Sequence, residues 1–254
     1  MELTLLASGS KGNSTLITTP SGGILVDMGL SYRELCRRLD QNDLTPASIQ
    51  AVFVTHEHSD HIKGVGILAR KLHIPVFISR DTLAATRNIF RGDEDVRLLE
   101  EQNRVNGLVV TALPISHDVA DPTAFLVTDG KARVAVITDL GFPTTAVKHE
   151  LENLDALVIE SNHCPEMLQN GSYPWFLKQR ISGRRGHLSN VQTGELLREY
   201  LGGKTRLVYL AHLSEENNNP ERALASAREY LEDRPELKLK VASQYESSII
   251  ETIL

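Results

Sequence analysis

The chain has little cysteine: Cys36 and Cys164 are the two in 254 residues. Two thiols so far apart exclude a disulfide-stapled scaffold. Cys36 falls on an expected helix face and reads as core, whereas Cys164 lies in a segment with chemical potential of its own. No run approaches the ~20 apolar residues of a membrane helix. The opening Met1–Gly9 lacks the basic start and apolar centre of an export signal, so a cytoplasmic location is expected. Lys and Arg total 27 against 33 Asp and Glu, a net charge of -6. There is thus no basic excess to announce a nucleic-acid binder, although a bound metal can supply positive charge locally. Strong repeats and low-complexity linkers are also missing. With 41% hydrophobic residues, 1–254 is expected to form one domain around a sizeable core.

What is present is an alternation of short apolar runs with helical stretches, which argues for an α/β protein. The apolar runs predict strands over 2–7, 14–19, 23–27, 51–55, 75–79, 107–113, 124–129, 132–138, 155–160, 205–210 and 237–242. Pro20–Gly23 and Asp129-Gly130 carry hairpin-turn chemistry. Helices are expected from Ser31, with Glu34 at capping-box spacing, and near 62–73, 82–91, 143–152, 190–201 and 220–233. The last has Asn219 as N-cap and Pro220 in first position. The polar segment 100–106 separates two hairpin-rich halves.

The densest chemistry lies in Thr55-His56-Glu57-His58-Ser59-Asp60-His61, just past the apolar run that ends at Val54. Imidazole and carboxylate are the ligands preferred by borderline divalent metals. His56, His58, Asp60 and His61 exceed what one tetrahedral ion needs once distant ligands join, so the run suggests two ions. A loop past a strand end can aim several of these side chains inward together.

The run reads HxHxDH and resembles the metallo-β-lactamase superfamily. That resemblance implies an αββα four-layer sandwich, with two mixed sheets face to face and helices outside. It also implies further ligands, met by His117 after Leu113–Ser116, Asp139 after Val134–Thr138, His212 after Arg206–Ala211 and Asp27 after Gly23–Val26. By the family's roles, His56, His58 and His117 bind one ion, and Asp60, His61 and His212 the other. Asp139 bridges them, and Asp27 orients a ligand imidazole. Two divalent ions, zinc or else manganese or iron, then hold a hydroxide that attacks phosphorus, with Asp60 serving both ligation and catalysis.

Glu160, and His187 in Gly186-His187-Leu188-Ser189, are similar to elements of the tRNase Z and phosphodiesterase branch. There a carboxylate orients a histidine that protonates the leaving oxygen. His163 divides evenly between a site residue and a structural one. The turn Ala7–Thr15 offers Ser10, Lys11 and Asn13 as phosphate contacts. The stretch 162–190 joins aromatics to Lys178, Arg180, Arg184 and Arg185, a composition suited to stacking on bases and pairing with phosphates. That stretch, the opening turn, and Ser116-His117-Asp118 with Asp121-Pro122 resemble the WalJ/YycJ (VicX) group of bacterial metallohydrolases. Cys164 departs from the group, where an acidic residue is expected.

The resemblance implies a 5′→3′ DNA exonuclease. The alternative is a small-molecule enzyme of the same fold, acting on a cyclic phosphate, a thioester or a lactone. A partner protein that has lost catalysis is disfavoured by the complete ligand set. Neither the oligomeric state nor a membrane association is indicated by any motif.

Overall fold

The computed structural model describes residues 1–86 and 88–254. Its first half runs β1 (Glu2–Ala7), β2 (Ser14–Thr19), β3 (Gly22–Val26), α1 (Tyr32–Asp40), β4 (Ile49–Phe53), α2 (Ser59–Ile62), α3 (Val65–Leu72), β5 (Val76–Ile78), α4 (Arg80–Ala85) and β6 (Val96–Leu98). The second half runs β7 (Gln102–Val105), β8 (Leu108–Pro114), β9 (Thr123–Thr128), β10 (Arg133–Ile137), α5 (Thr145–Leu151), β11 (Ala156–Glu160), α6 (Pro165–Asn170), α7 (Trp175–Ser182), α8 (Asn190–Tyr200), β12 (Leu207–Ala211), α9 (Pro220–Tyr230) and β13 (Lys238–Val241). A last strand, β14 (Glu251–Thr252), returns to the first half.

Strands that carry apolar residues on both faces need cover on both sides. In β3 and β4, Ile24, Val26, Ala51 and Phe53 enter a core shared with Phe125, Val134, Val158 and Tyr209 of the other half. Their neighbours Leu25 and Val52 enter a second core beneath Leu35 and Leu39 of α1 and Leu68 of α3. A third core lies between the second sheet and α5, α8 and α9, with Leu157, Val147, Leu196 and Ala223 among its members. Three stacked cores separate four layers, the αββα sandwich that the HxHxDH resemblance implies.

Among the described residues the sheets are seven-stranded, ordered β14-β1-β2-β3-β4-β5-β6 and β13-β12-β11-β10-β9-β8-β7. Counted from β14 and from β7, each has three antiparallel pairings followed by three parallel ones. The two halves are therefore topological duplicates without a legible sequence repeat. In this correspondence β3 matches β10 and β4 matches β11, so Asp27 and the segment ending at Asp139 occupy equivalent strand exits.

The hairpin turn at Asp129-Gly130 forms as expected. Asp129 Oδ1 accepts the N–H groups of Lys131 and Ala132, and Gly130 takes φ 84°. Asn219 caps α9 ahead of Pro220, and the Ser31 hydroxyl accepts the Glu34 N–H at the start of α1. The polar segment at 100–106 is not a mere break, because β7 forms there. β6, β7 and β14 are edge strands of 3, 4 and 2 residues, too short for a periodic pattern to mark them, and pairing to an existing sheet creates them. The helix expected over 82–91 is observed at Arg80–Ala85, and Arg87 within that range lies outside the described residues. The expected 62–73 helix is two, α2 and α3, meeting at Gly64.

Phe53 ties the layers together. It stacks on Phe77 at 4.6 Å and 4°, and meets Phe125 of the facing sheet edge-on at 5.5 Å and 70°. Phe53→Ala is expected to destabilise the fold by about 3–5 kcal/mol, read as a lower urea midpoint at unchanged m.

Candidate metal centre

The candidate ligands leave the sheets at strand exits that only a constrained backbone can make. Asp27, Asp139 and His212 have φ of 62°, 59° and 54°. The left-handed region is uncommon for residues with a Cβ, and such conformations concentrate at functional sites. The Thr55–His61 loop is seated by Met28 N–H donating to His61 O at 2.8 Å and Asn13 N–H donating to Asp60 O at 2.7 Å. Gly29 makes this approach possible, since a Cβ there would lie 1.6 Å from Asp60 O.

These exits bring together every sequence-expected ligand. Donor atoms of His56, His58 and His117 lie within 4.8 Å of one another, as do those of Asp60, His61 and His212. Asp139 stands between the sets. Its Oδ2 is 3.2 Å from His61 Nε2, and its Oδ1 is 3.4 Å from His212 Nδ1 and 3.9 Å from His117 Nε2.

The ring orientations follow from what holds the Nδ1 atoms. Asp27 Oδ2 accepts from His61 Nδ1 at 2.7 Å and from the Thr55 hydroxyl at 2.8 Å. Having donated its proton, Thr55 Oγ1 accepts from His56 Nδ1 at 2.9 Å. His117 Nδ1 donates to Gly186 O at 3.1 Å. His212 Nδ1 donates to Glu160 Oε1 at 2.8 Å. Four imidazoles thus carry their proton on Nδ1 and turn Nε2 inward, the arrangement that fixes ligand histidines in metalloproteins. His58 presents Nδ1, 3.1 Å from His56 Nε2.

Glu160 does more than orient His187. Its carboxylate is fully buried and accepts from His187 Nδ1 at 2.9 Å, His212 Nδ1 at 2.8 Å, and the N–H groups of Asp139, Leu140 and Leu188 at 3.3, 3.1 and 3.0 Å. His187 stays partly open to solvent.

The electrostatics call for cations. Burial alone would lower the His212 pKa, yet the Asp139, Asp60 and Glu160 carboxylates raise it to about 10. His61 is likewise raised well above 6.5, with Asp139 and Asp27 overcoming its burial. Burial would raise Asp139 and Asp60, but His212 and His61 hold both below the usual carboxylate value. Burial, with His61 beside it, lowers His56, and burial lowers His117. Protons on His61 and His212 therefore take the place that positive metal charge would fill. His117 Nε2, His212 Nε2 and Asp139 Oδ2 are buried without a hydrogen bond among the described residues. Buried polar atoms left unpaired are costly, and divalent cations would satisfy all three. The donor set fits a divalent metal centre.

The expected substrate contacts distribute differently. Asn13 is built into the centre: its Nδ2 lies 2.9 Å from His61 Nε2 and 3.2 Å from Asp60 Oδ2. Lys11 Nζ instead pairs with Glu215 at 2.7 Å and Tyr245 Oη at 3.0 Å on the rim, beside exposed Ser10. Arg180 Nε pairs with Asp118 Oδ2 at 2.6 Å, and Arg184 covers the Phe142 ring at 3.9 Å. Arg185 Nε donates to His117 O at 3.2 Å. His163 is buried beside the centre, where burial lowers its pKa to about 4 and keeps it neutral. Cys164 Sγ contacts Arg222 on the surface, and Cys36 is half-buried rather than core.

Two participants escaped the sequence reading. Thr55 relays Asp27 to His56, and its place inside the metal-binding run was the available signal. Asp118 follows His117 directly, and its buried Oδ1 lies 3.6 Å from His117 Nε2 without a hydrogen bond.

Glu160→Gln replaces one acceptor oxygen by an amide NH₂ that must face either the two Nδ1–H groups or the Leu140 and Leu188 N–H groups, donor against donor. It is expected to weaken metal affinity about 10- to 100-fold in competition titrations with a chelator. Glu160 itself is held at about 2, because His187 and His212 outweigh its burial. A carboxyl lowered from 4.5 stabilises the fold above pH 4.5 and loses that contribution as pH falls through 2. The metal-free variant should lack this acid-side slope in denaturant titrations.

The Beta-lactamase superfamily domain model matches residues 23–213. Exodeoxyribonuclease YycJ of Bacillus anthracis is 35% identical over 238 residues, covering 92% of this chain and 90% of that one. Exodeoxyribonuclease WalJ of Streptococcus pneumoniae is 36% identical over 225 residues, covering 86% and 84%. Among solved structures, the metallo-β-lactamase fold protein YhfI of Bacillus subtilis superposes with a TM-score of 0.72 at 16% identity, covering 99% of both chains. The donor atoms gathered at the strand exits and these matches across most of the chain agree: it belongs to the metallo-β-lactamase superfamily, as a metallohydrolase of the WalJ/YycJ type.

Proposed function

We propose that the chain is a metal-dependent phosphodiesterase that removes nucleotides from DNA in the 5′→3′ direction. The observation that carries this reading is the shared Glu160 oxygen, which fixes a partly open imidazole, His187, beside the metal donors. The relatives' names as exodeoxyribonucleases support DNA as the substrate. A genomic substrate accords with a cytoplasmic location, and no helix among the described residues is long and apolar enough to cross a membrane.

In this proposal His56, His58 and His117 hold one cation and Asp60, His61 and His212 a second, with Asp139 shared and Asp27 fixing His61. Divalent cations there, zinc or else manganese or iron, acidify water and neutralise charge on phosphoryl oxygens. The chain's own part in the reaction falls to Glu160 and His187. Glu160 binds the Nδ1–H of His187, so a protonated His187 donates from Nε2 to the departing sugar oxygen. A sugar alkoxide is a poor leaving group, and such proton transfer contributes about 10²- to 10⁴-fold. Glu160 stabilises the imidazolium before transfer and the tautomer after it. Asp60 serves the same step by holding charge near His61 and His212.

The test incubates metal-loaded protein with 5′-labelled duplex DNA. Release of labelled nucleotides by the wild type and none by His58→Ala is expected, and equal release by both would contradict the reading. His187→Ala should lose about 10²- to 10⁴-fold on DNA but far less on bis-p-nitrophenyl phosphate, whose leaving group needs no proton. Equal loss on both would remove His187 from the acid role, and turnover of a thioester alone would replace the nuclease reading.

A further inference from the structure

Helix α7 is a wall with a cavity on each side. It contains no buried residue. At 3.6 residues per turn, Leu177, Arg180 and Ile181 share one face, and Trp175, Lys178, Gln179 and Ser182 share the opposite one. The first face lines a cavity of ≈ 200 Å³ with Asp118 and His187, the neighbours of the candidate ligands His117 and Asp139. The second lines a cavity of ≈ 230 Å³ against α6, with Leu168 and His163 across from it. The mechanism does not use this second cavity.

Its lining has the makings of a binding site. His163 is 2% exposed, and its buried Nδ1 has no hydrogen-bond partner among the described residues. Trp175, at the cavity mouth, is 72% exposed. Phe176 beside it is 73% exposed, so two large apolar side chains stand side by side in water. Lys178 Nζ is spent on the carbonyl oxygens of Gln169 and Gly171 at 2.8 and 2.7 Å, which braces α7 against α6.

Resting on the nuclease reading above, we propose that the cavity between His163 and Trp175 receives an unpaired nucleobase of the DNA, stacked on the Trp175 indole. A base has the two features the lining asks for. Its π-face matches an open aromatic ring, and its edge offers both donors and acceptors. The imidazole of His163, kept neutral by burial, offers one donor and one acceptor in return. A phosphate fits poorly there, because the one cation in the lining is already bound to two carbonyls. The opposite face of α7 borders His187, so a base held here belongs to a nucleotide near the scissile one. The helix then parts the strand end: reacting nucleotide on one side, captured base on the other.

Trp175 is the chain's one tryptophan, so its emission reports the site alone. The experiment titrates the metal-loaded protein with a phosphorothioate thymidine oligomer and with an abasic oligomer of equal length and charge. Quenching and tighter binding are expected for the thymidine oligomer only. Trp175→Ala should weaken that oligomer roughly tenfold, leave the abasic one unchanged, and be largely rescued by Trp175→Phe. Equal binding of the two oligomers with unaltered emission would overturn the base site and leave the nuclease reading standing. Failure to bind either oligomer would overturn both.

Discussion

The Glu160 carboxylate is buried without solvent contact and accepts five hydrogen bonds, two from imidazoles and three from backbone N–H groups. Removing a carboxylate from water costs several kcal/mol unless such partners surround it. Because the partners come from the exits of β10 and β12 and from the 183–189 loop, the carboxylate fixes three separate segments against β11. It also sets which nitrogen of His187 and of His212 carries a proton. A single buried charge therefore couples the candidate ligand His212 to the His187 imidazole.

The first half has its own version of this device. Asp27 leaves β3 with a left-handed backbone and binds Thr55 N–H at 2.8 Å, the Thr55 hydroxyl and His61 Nδ1. Asp139 leaves the matching strand of the second half with nearly the same φ, but turns its carboxylate into the centre. One topological position thus became an orienting group in one half and a candidate ligand in the other. Gly29 adds the close approach that lets the histidine loop lie against the β3 exit.

The cluster of candidate donors was legible because HxHxDH packs four of them into one loop, and the later residues each follow an apolar strand. The same strand logic gave most of the sheet, since strands buried on both faces read as continuous apolar runs. Edge strands β6, β7 and β14 were not legible, because 3, 4 and 2 residues are too few to show a period and the neighbouring strand supplies the order. Helix α7, inside the stretch of aromatics and cations at 162–190, was not legible as a helix for a related reason: with no buried face it has no 3.6-residue apolar period. Lys11 looked like a phosphate contact from its glycine-rich turn, whereas its partners Glu215 and Tyr245 lie more than 200 residues away. Glu160's grip on His212 is equally non-local, spanning 52 residues.

Anomalous diffraction from crystals grown with manganese or zinc measures most directly whether the carboxylate-held imidazoles converge on cations. Two peaks are expected. One should touch His56 Nε2, His58 Nδ1 and His117 Nε2, the other Asp60, His61 Nε2 and His212 Nε2, with Asp139 reaching both. Metal bound elsewhere, with His117 Nε2 and His212 Nε2 left uncoordinated, would contradict it.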